Sequence, residues 1–454
     1  MFNFFAKIYN NIGNESQRSL SVKKQVSLSF GIKIISVIIG VLLVPLMIDY
    51  LDNERYGVWL TLSSVFAWFS FFDIGIGNGM RNKLAEALAV NDKLLAREYV
   101  STTYAVISCV FISIIILFQL INPFIDWRHL LNVKIISENE LYVLTTVVFT
   151  IFLLRFIFQL TGVVYIAVHK PSINNAIITL GAILSFIIIL LLFKLTDDGS
   201  LFVLGVVLTG APLIVLLGAT LFAFSGEFKF LRPNISFVKS AHIKSLLNLG
   251  LKFFVIQIAA ILLFSSANII ISQLFTSSEV VVYNTALMYF QLPIMVYAIV
   301  MTPIWSAVTD AYAKNDFEWL KMTLNRLNKL SVIFAVGIIG MLVISPLVFK
   351  LWIGNRMEIP FLLSASMACF SIINVFLSPY TNFINGIGKM KFSMYLVIFT
   401  LFCYIPLAIF LSRIIGNSSG IIITTCLINA TGLYFQPYQV NKLLNKKANG
   451  VWNK

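Results

Sequence analysis

Long apolar runs alternate with short polar stretches along the chain from residue 28 onward. An α-helix rises 1.5 Å per residue, so a run of about 20 apolar residues crosses the roughly 30 Å hydrocarbon core of a bilayer. This pattern predicts an all-α integral membrane protein with about twelve transmembrane helices. Their predicted bounds are 28–51, 56–78, 99–122, 141–168, 172–194, 200–224, 250–275, 280–306, 329–352, 360–385, 392–414 and 419–441.

The composition agrees with a chain whose main solvent is lipid. Apolar residues make up 59% of the 454 positions and charged residues only 11%, and the mean hydropathy is +0.91. Soluble domains carry about 25% charged residues. Residues 1–25 are polar and basic without an apolar core, so we expect no cleavable signal peptide and take the first span as the insertion signal.

Lysine and arginine are distributed unevenly between the two sides of the predicted helix bundle. With the N-terminus inside, the inner segments hold 23 of these residues and the outer loops hold 7. The positive-inside rule therefore predicts that both termini are cytoplasmic. The net charge of +14 is spread over short inner loops, and we expect no nucleic acid as a partner.

Short matches between the two halves of the chain indicate an internal repeat. In the same order in both halves occur GIK at 31–33 and GLK at 250–252, Glu54 and Glu279, and Asn-Asp at 91–92 and 315–316. Six spans per half give both halves the same orientation, which predicts a pseudo-two-fold axis along the membrane normal. A duplicated design of this kind favours alternating access between two lobes.

This repeat predicts five segments. They are an N-terminal cytoplasmic segment (1–27), an N-terminal six-helix lobe (28–224), a cytoplasmic linker (225–247), a C-terminal six-helix lobe (248–441) and a cytoplasmic tail (442–454).

The stretch FFDIGIGNGMRNKLAEA at 71–87 places an aspartate and three glycines where the second span ends. A dinucleotide fingerprint requires G-x-G-x-x-G after a soluble strand, and both the spacing and the membrane context exclude it. Gly75, Gly77 and Gly79 indicate either a hinge or close helix packing. Asp73 either reaches the membrane surface, or faces a cavity, pairs with a cation, or binds a proton or sodium ion.

Arg155 is the most informative charge, because it lies near the middle of the fourth predicted span. A guanidinium is unfavourable in lipid, so Arg155 should point inward, toward a structural partner such as Asp73 or toward an anion such as phosphate. Gln159 lies one helical turn away. Lys33 and Lys252 hold matching positions about one turn inside their spans and either extend to the lipid headgroups or join Arg155 in a cationic cavity.

Motifs for catalysis and metal binding are missing from the sequence. The three histidines (His129, His169 and His242) lie in separate loops, and no zinc motif, Walker loop or G-x-S-x-G occurs. We therefore predict a protein that is not an enzyme, has no metal site and does not hydrolyse nucleotides to drive transport.

Three motifs, YGVW at 56–59, FDIGIGNG at 72–79 and RNK at 81–83, make the chain resemble O-antigen flippases. These belong to the polysaccharide exporters, in the superfamily that also contains multidrug and toxin extrusion transporters. The resemblance implies a V-shaped pair of six-helix lobes around a central cationic cavity in the bacterial cytoplasmic (inner) membrane. The implied substrate is an undecaprenyl-diphosphate-linked oligosaccharide repeat, which moves from the cytoplasmic to the periplasmic face.

The resemblance further implies an ion gradient (proton or sodium) as the energy source, no cofactor, and an ion-coupling role for Asp73. The implied partners are the lipid-linked oligosaccharide, membrane lipids, and the O-antigen polymerase with its chain-length machinery. Two alternatives remain: a drug–cation antiporter of the same fold, and a membrane glycosyltransferase or O-antigen polymerase.

Overall fold

The computed structural model describes residues 17–133, 136–168, 170–196, 198–243, 266–389 and 391–453. In these ranges the regular elements are helices, without a strand. The α-helices are α1 (Gln17–Leu51), α2 (Asn53–Ala67), α3 (Phe71–Ala89), α4 (Lys93–Ile121), α5 (Trp127–Leu131), α6 (Glu138–Ala167), α7 (Pro171–Leu195), α8 (Leu201–Ser225), α9 (Ser277–Ala313), α10 (Phe317–Trp352), α11 (Phe361–Ile387), α12 (Lys391–Ile415) and α13 (Ser419–Leu444). Residues 266–274 are also helical, but most of the predicted seventh span lies outside the described residues.

The described helices fit a multi-pass membrane protein. Eight of them are long and apolar enough to cross a bilayer. Large apolar side chains such as Leu117, Phe222, Val343 and Phe402 are exposed, which is unfavourable in water and favourable in lipid. The predicted all-α membrane fold is confirmed, whereas the count of twelve spans and the two-fold axis stay predictions.

Helix packing follows the two halves of the chain. In the N-terminal half α1 packs against α7, and α6 and α7 both pack against α8. In the C-terminal half α11 packs against α9, α10 and α13, and α12 packs against α13. The main helix contact between the halves joins α2 to α9.

The Asn-Asp pairs that suggested the repeat form the same turn in both halves. Asn91 and Asn315 have φ angles of 58° and 59°, in the left-handed region that asparagine tolerates better than most residues. The aspartate that follows each of them caps the next helix, because Asp92 accepts a hydrogen bond from the Leu95 N–H at 2.9 Å and Asp316 accepts one from the Trp319 N–H at 3.0 Å. These two matching turns support the internal repeat.

The second predicted span is wrong in one respect: it is not a single helix. A 3₁₀ turn at Trp68–Ser70 separates α2 from α3. The α-helix is therefore interrupted before the glycines and not at them. Gly77 and Gly79 are buried inside the continuous helix α3. Their lack of a side chain allows close helix packing, and the irregular 3₁₀ segment is the place where a hinge would be expected.

The helix bundle has two ends, which we name after Leu51 and Asp92. At the Leu51 end α1 ends and α2 begins; at the Asp92 end α3 ends and α4 begins. The lysine and arginine distribution predicts that the Asp92 end is cytoplasmic.

The two halves are joined at the Leu51 end. Arg356, between α10 and α11, makes a two-pronged ion pair with Asp49 of α1, and its carbonyl accepts a hydrogen bond from Asn53 at 2.7 Å. The hydrogen bonds to Asp49 raise the pKa of Arg356, so this guanidinium stays charged. Trp352 Nε1 also donates to the Val41 carbonyl at 2.8 Å.

Polar contacts around residues 129–132 strengthen the same junction. Asn132 donates to the Ser272 carbonyl at 2.8 Å, and Gln273 donates to the carbonyls of His129 and Leu130 at 2.8 and 2.7 Å. The described hydrogen bonds and ion pair between the halves thus lie toward the Leu51 end, and we name this group of contacts the clasp.

Gly57 explains how closely α2 approaches α9 beside the clasp. A Cβ atom at this position would lie 1.8 Å from the Ser277 carbonyl oxygen, so any larger residue would push the two helices apart. The glycine of the YGVW motif is therefore required by tertiary packing between the halves.

Candidate functional site

Arg155 lies on a polar strip of α6 that continues onto α7. Gln159 is one turn further along α6, and Gly162 is two turns from Arg155, so the three share one helix face. A Cβ at Gly162 would lie 1.9 Å from Asn174 Oδ1 on α7. The Asn174 amide therefore lies directly against Gly162, and we name Arg155, Gln159 and Asn174 the polar strip.

The depth of Arg155 agrees with the prediction that it lies within the bilayer. At 1.5 Å per residue it is about 25 Å from Glu138 and about 18 Å from Ala167 along the α6 axis. Its side chain is half-buried. Gln159 and Asn174 are likewise half-buried, and among the described residues none forms a hydrogen bond or an ion pair with Arg155, Gln159 or Asn174.

The other predicted site residues are less fully placed. Lys33 is exposed on α1, and the structure brings it into no ion pair among the described residues. Lys252 lies outside the described residues. Asp73 and Gly75 lie in the first turns of α3, and the Asp73 side chain is not part of the description. The cationic cavity and the ion-coupling role of Asp73 therefore stay predictions.

A second polar site lies between the halves, beside the clasp. A cavity of about 210 Å³ is lined by Val44, Tyr56, Leu60, Asn284, Thr285, Leu287, Met288 and Gln291. We name it the seam pocket, because α1 and α2 form one wall and α9 forms the other. None of these eight lining residues carries a charge.

Hydrogen bonds orient one side of the seam pocket. Asn268 donates to the Leu60 carbonyl at 3.3 Å, and Asn284 donates to Asn268 Oδ1 and to the Val280 carbonyl, both at 2.8 Å. The amide nitrogen of Asn284 thus donates to two acceptors, and within the described part of the chain its Oδ1 atom accepts no hydrogen bond.

The sequence interpretation missed Asn174 and the residues of the seam pocket. Asn174 follows Lys170-Pro171 in the polar start of α7, which is a weak signal that could have been noticed. The seam pocket has no comparable signal, because Tyr56 and Gln291 are far apart in sequence and meet only through the contact of α2 with α9.

Curated relatives of the chain are O-antigen exporters. The chain is 23% identical over 371 residues to a putative O-antigen export protein of Yersinia pseudotuberculosis, covering 80% of this chain and 83% of the relative. It is 26% identical over 311 residues to a putative O-antigen transporter of Salmonella typhi, covering 67% and 68%. No protein-family model matches the chain.

Solved structures agree with the fold. An inward-facing multidrug resistance MATE family transporter of the MOP superfamily has a TM-score of 0.70 at 15% identity, covering 98% of this chain and 99% of that one. The lipid II flippase MurJ in an inward closed conformation has a TM-score of 0.67 at 12% identity, covering 92% and 89%.

An outward-facing MATE family structure gives a lower TM-score of 0.60 at 17% identity, covering 94% of this chain and 97% of that one. These relatives and neighbours are exporters, transporters and a flippase rather than enzymes. The resemblance that residues 56–83 predicted is therefore confirmed: the chain is similar in sequence to putative O-antigen exporters and has a transporter fold that multidrug transporters and a lipid II flippase share.

Proposed function

We propose that this chain moves undecaprenyl-diphosphate-linked oligosaccharide repeats from the cytoplasmic to the periplasmic face of the inner membrane by ion-coupled alternating access. The observation that carries the proposal is Arg155, an arginine about 18 Å inside the helix bundle that has no described protein partner. A guanidinium at this depth in a bilayer is unfavourable without a counter-charge, and a diphosphate supplies one through bidentate contacts. The names of the curated relatives support the same class of cargo.

The conformation of the bundle supports entry from the cytoplasmic side. The clasp joins the halves at the Leu51 end, which the lysine and arginine distribution predicts to be periplasmic. Opening of the clasp would then release the cargo on the opposite side.

The polar strip favours an anionic cargo over a cationic drug. Arg155 provides a positive charge, Gln159 and Asn174 provide uncharged hydrogen-bonding groups, and no carboxylate belongs to the strip. A drug–cation antiporter would require negative charge at the binding site. The strip therefore suits the diphosphate end of a lipid-linked sugar.

The proposal is tested by locating lipid-linked oligosaccharide in cells with and without the chain. Intact cells and inside-out vesicles are treated with a labelling reagent that does not cross the membrane. We expect completed repeats to accumulate on the cytoplasmic face when the chain is deleted. Repeats that reach the periplasmic face but stay unpolymerised would contradict the proposal and indicate a polymerase.

Ion coupling predicts a difference between two aspartates close to each other in sequence. Asp73→Asn should lower transport several-fold, because an amide neither takes up a proton nor offers a carboxylate to sodium. Asp92→Asn is the matched control, because asparagine caps a helix as well as aspartate does. The measurement is the rate at which labelled repeats appear on the outer face under an imposed proton or sodium gradient. Equal, small effects would indicate that Asp73 only reaches the membrane surface.

A further inference from the structure

The seam pocket contains polar groups that the protein itself does not satisfy. The Tyr56 hydroxyl, the Thr285 hydroxyl and the Gln291 amide all line it, and none has a hydrogen-bond partner within the described part of the chain. Tyr56 is 4% exposed and Thr285 is 2% exposed. Gln291 is half-buried. A few polar groups that converge on a largely apolar cavity are typical of a ligand-binding site.

The chemistry of the lining restricts the class of ligand. No lysine, arginine or histidine among the lining residues would hold an anion, and no carboxylate would hold a cation. Hydroxyl and amide groups alternate with the apolar surfaces of Val44, Leu60, Leu287 and Met288. A sugar ring presents the same combination, because its hydroxyls form hydrogen bonds at the edge and its C–H groups form apolar faces.

The position of the seam pocket relative to Arg155 determines how the cargo would be oriented in the helix bundle. Tyr56 lies in the first turn of α2 and Gln291 lies about 21 Å along α9 from Ser277, so the pocket extends between these depths from the Leu51 end. Arg155 lies about 25 Å along α6 from its start, so it is farther from the Leu51 end than Tyr56 in the first turn of α2. A ligand that contacts both places its charged end nearer the Asp92 end and its uncharged end beneath the clasp.

On the basis of the proposed function, we propose that the seam pocket binds an uncharged sugar residue of the oligosaccharide, at a distance from the diphosphate. Tyr56, Thr285, Asn284 and Gln291 supply its hydrogen bonds. The sugar end thus lies toward the clasp before transport and leaves first when the clasp opens. Because α2 and α9 form opposite walls, the ligand contacts both halves of the chain at their junction.

The test compares two probes on the purified full-length protein in lipid nanodiscs. One probe is undecaprenyl diphosphate, and the other is undecaprenyl diphosphate carrying the repeat isolated from cells that lack the chain. The wild-type protein should bind the second probe at least about tenfold more tightly, because the sugar adds several hydrogen bonds to the complex.

Three conservative variants remove the pocket's polar groups with little change in volume: Tyr56→Phe, Thr285→Val and Gln291→Met. Each should weaken binding of the oligosaccharide-bearing probe by about fivefold and leave binding of undecaprenyl diphosphate unchanged. Thr431→Val is the matched control, since Thr431 is exposed on α13 and donates only to the Ile428 carbonyl, at 2.7 Å. Thermal unfolding checks that all four variants fold.

The outcomes separate the two proposals. If the wild-type protein binds both probes equally, or if the three variants bind the oligosaccharide-bearing probe as the wild type does, the seam pocket holds only water and this inference is overturned. If the wild-type protein binds neither probe, the proposed function fails and the sugar site fails with it.

Discussion

Arg155→Ala is expected to reduce transport to the level of cells that lack the chain. The reason is the loss of the proposed charge-assisted bidentate contact between the guanidinium and the diphosphate. Hydrogen bonds to charged groups contribute about 1.5–3 kcal/mol each, so losing two lowers binding by a hundredfold or more. The measurement is the amount of labelled repeat on the outer face, together with the amount of protein in the membrane.

Two further variants define the cause of this loss. Arg155→Lys keeps the positive charge but lacks the planar guanidinium that makes bidentate contacts, so this variant should retain part of the transport activity. Arg326→Ala is the matched control, because Arg326 is exposed on α10, and it should transport normally. Wild-type transport by Arg155→Ala would remove Arg155 from the site, and loss of the protein from the membrane would indicate a role in folding.

A covalent bond across the clasp should stop transport reversibly. The variant carries Asp49→Cys and Arg356→Cys in a chain whose four native cysteines (Cys109, Cys369, Cys403 and Cys426) are replaced by alanine. A bis-maleimide with a reducible spacer would link the two positions, which are neighbours because their native side chains form an ion pair. Because alternating access requires the halves to separate at the Leu51 end, transport should fall to background and recover after reduction.

The control for this experiment is a second ion pair, which does not join the two lobes. Lys170 and Glu227 are 2.5 Å apart, between Nζ and Oε1; Lys170 belongs to the N-terminal lobe, and Glu227 lies in the linker directly after α8. Lys170→Cys with Glu227→Cys, linked in the same way, should transport normally because those segments need not separate. Continued transport by the cross-linked clasp variant would show that the Leu51 end does not open during the cycle.

Much of the fold was predictable because the signals for it are local. The predicted spans fall on the described helices, apart from most of the seventh, since length and apolar content decide whether a segment is a membrane helix. The turns at Asn91-Asp92 and Asn315-Asp316 were also visible, because a left-handed asparagine and a capping aspartate act on their own neighbours. Prediction failed at Trp68–Ser70, where no glycine or proline marks the interruption.

The candidate site was predictable only in part. Arg155 could be identified because a charge in the middle of an apolar run is unfavourable wherever the helix lies. Asn174 could not be placed against the helix face that carries Arg155, because its position there depends on the close approach of α7 to α6 at Gly162. The seam pocket could not be predicted from the sequence either, because its walls come from both halves of the chain.

The sequence by itself determined that this chain is a helical membrane protein, where most of its long helices lie, that one arginine lies in the middle of an apolar helix, and which exporters the chain resembles. These properties depend on side-chain chemistry and on neighbours within a few residues. Only the tertiary structure decided that the halves are joined at the Leu51 end, that Gly57 lies against Ser277, and that Tyr56 meets Gln291. Such contacts join residues that are distant in the chain, and their geometry is set by how whole helices pack rather than by any local pattern.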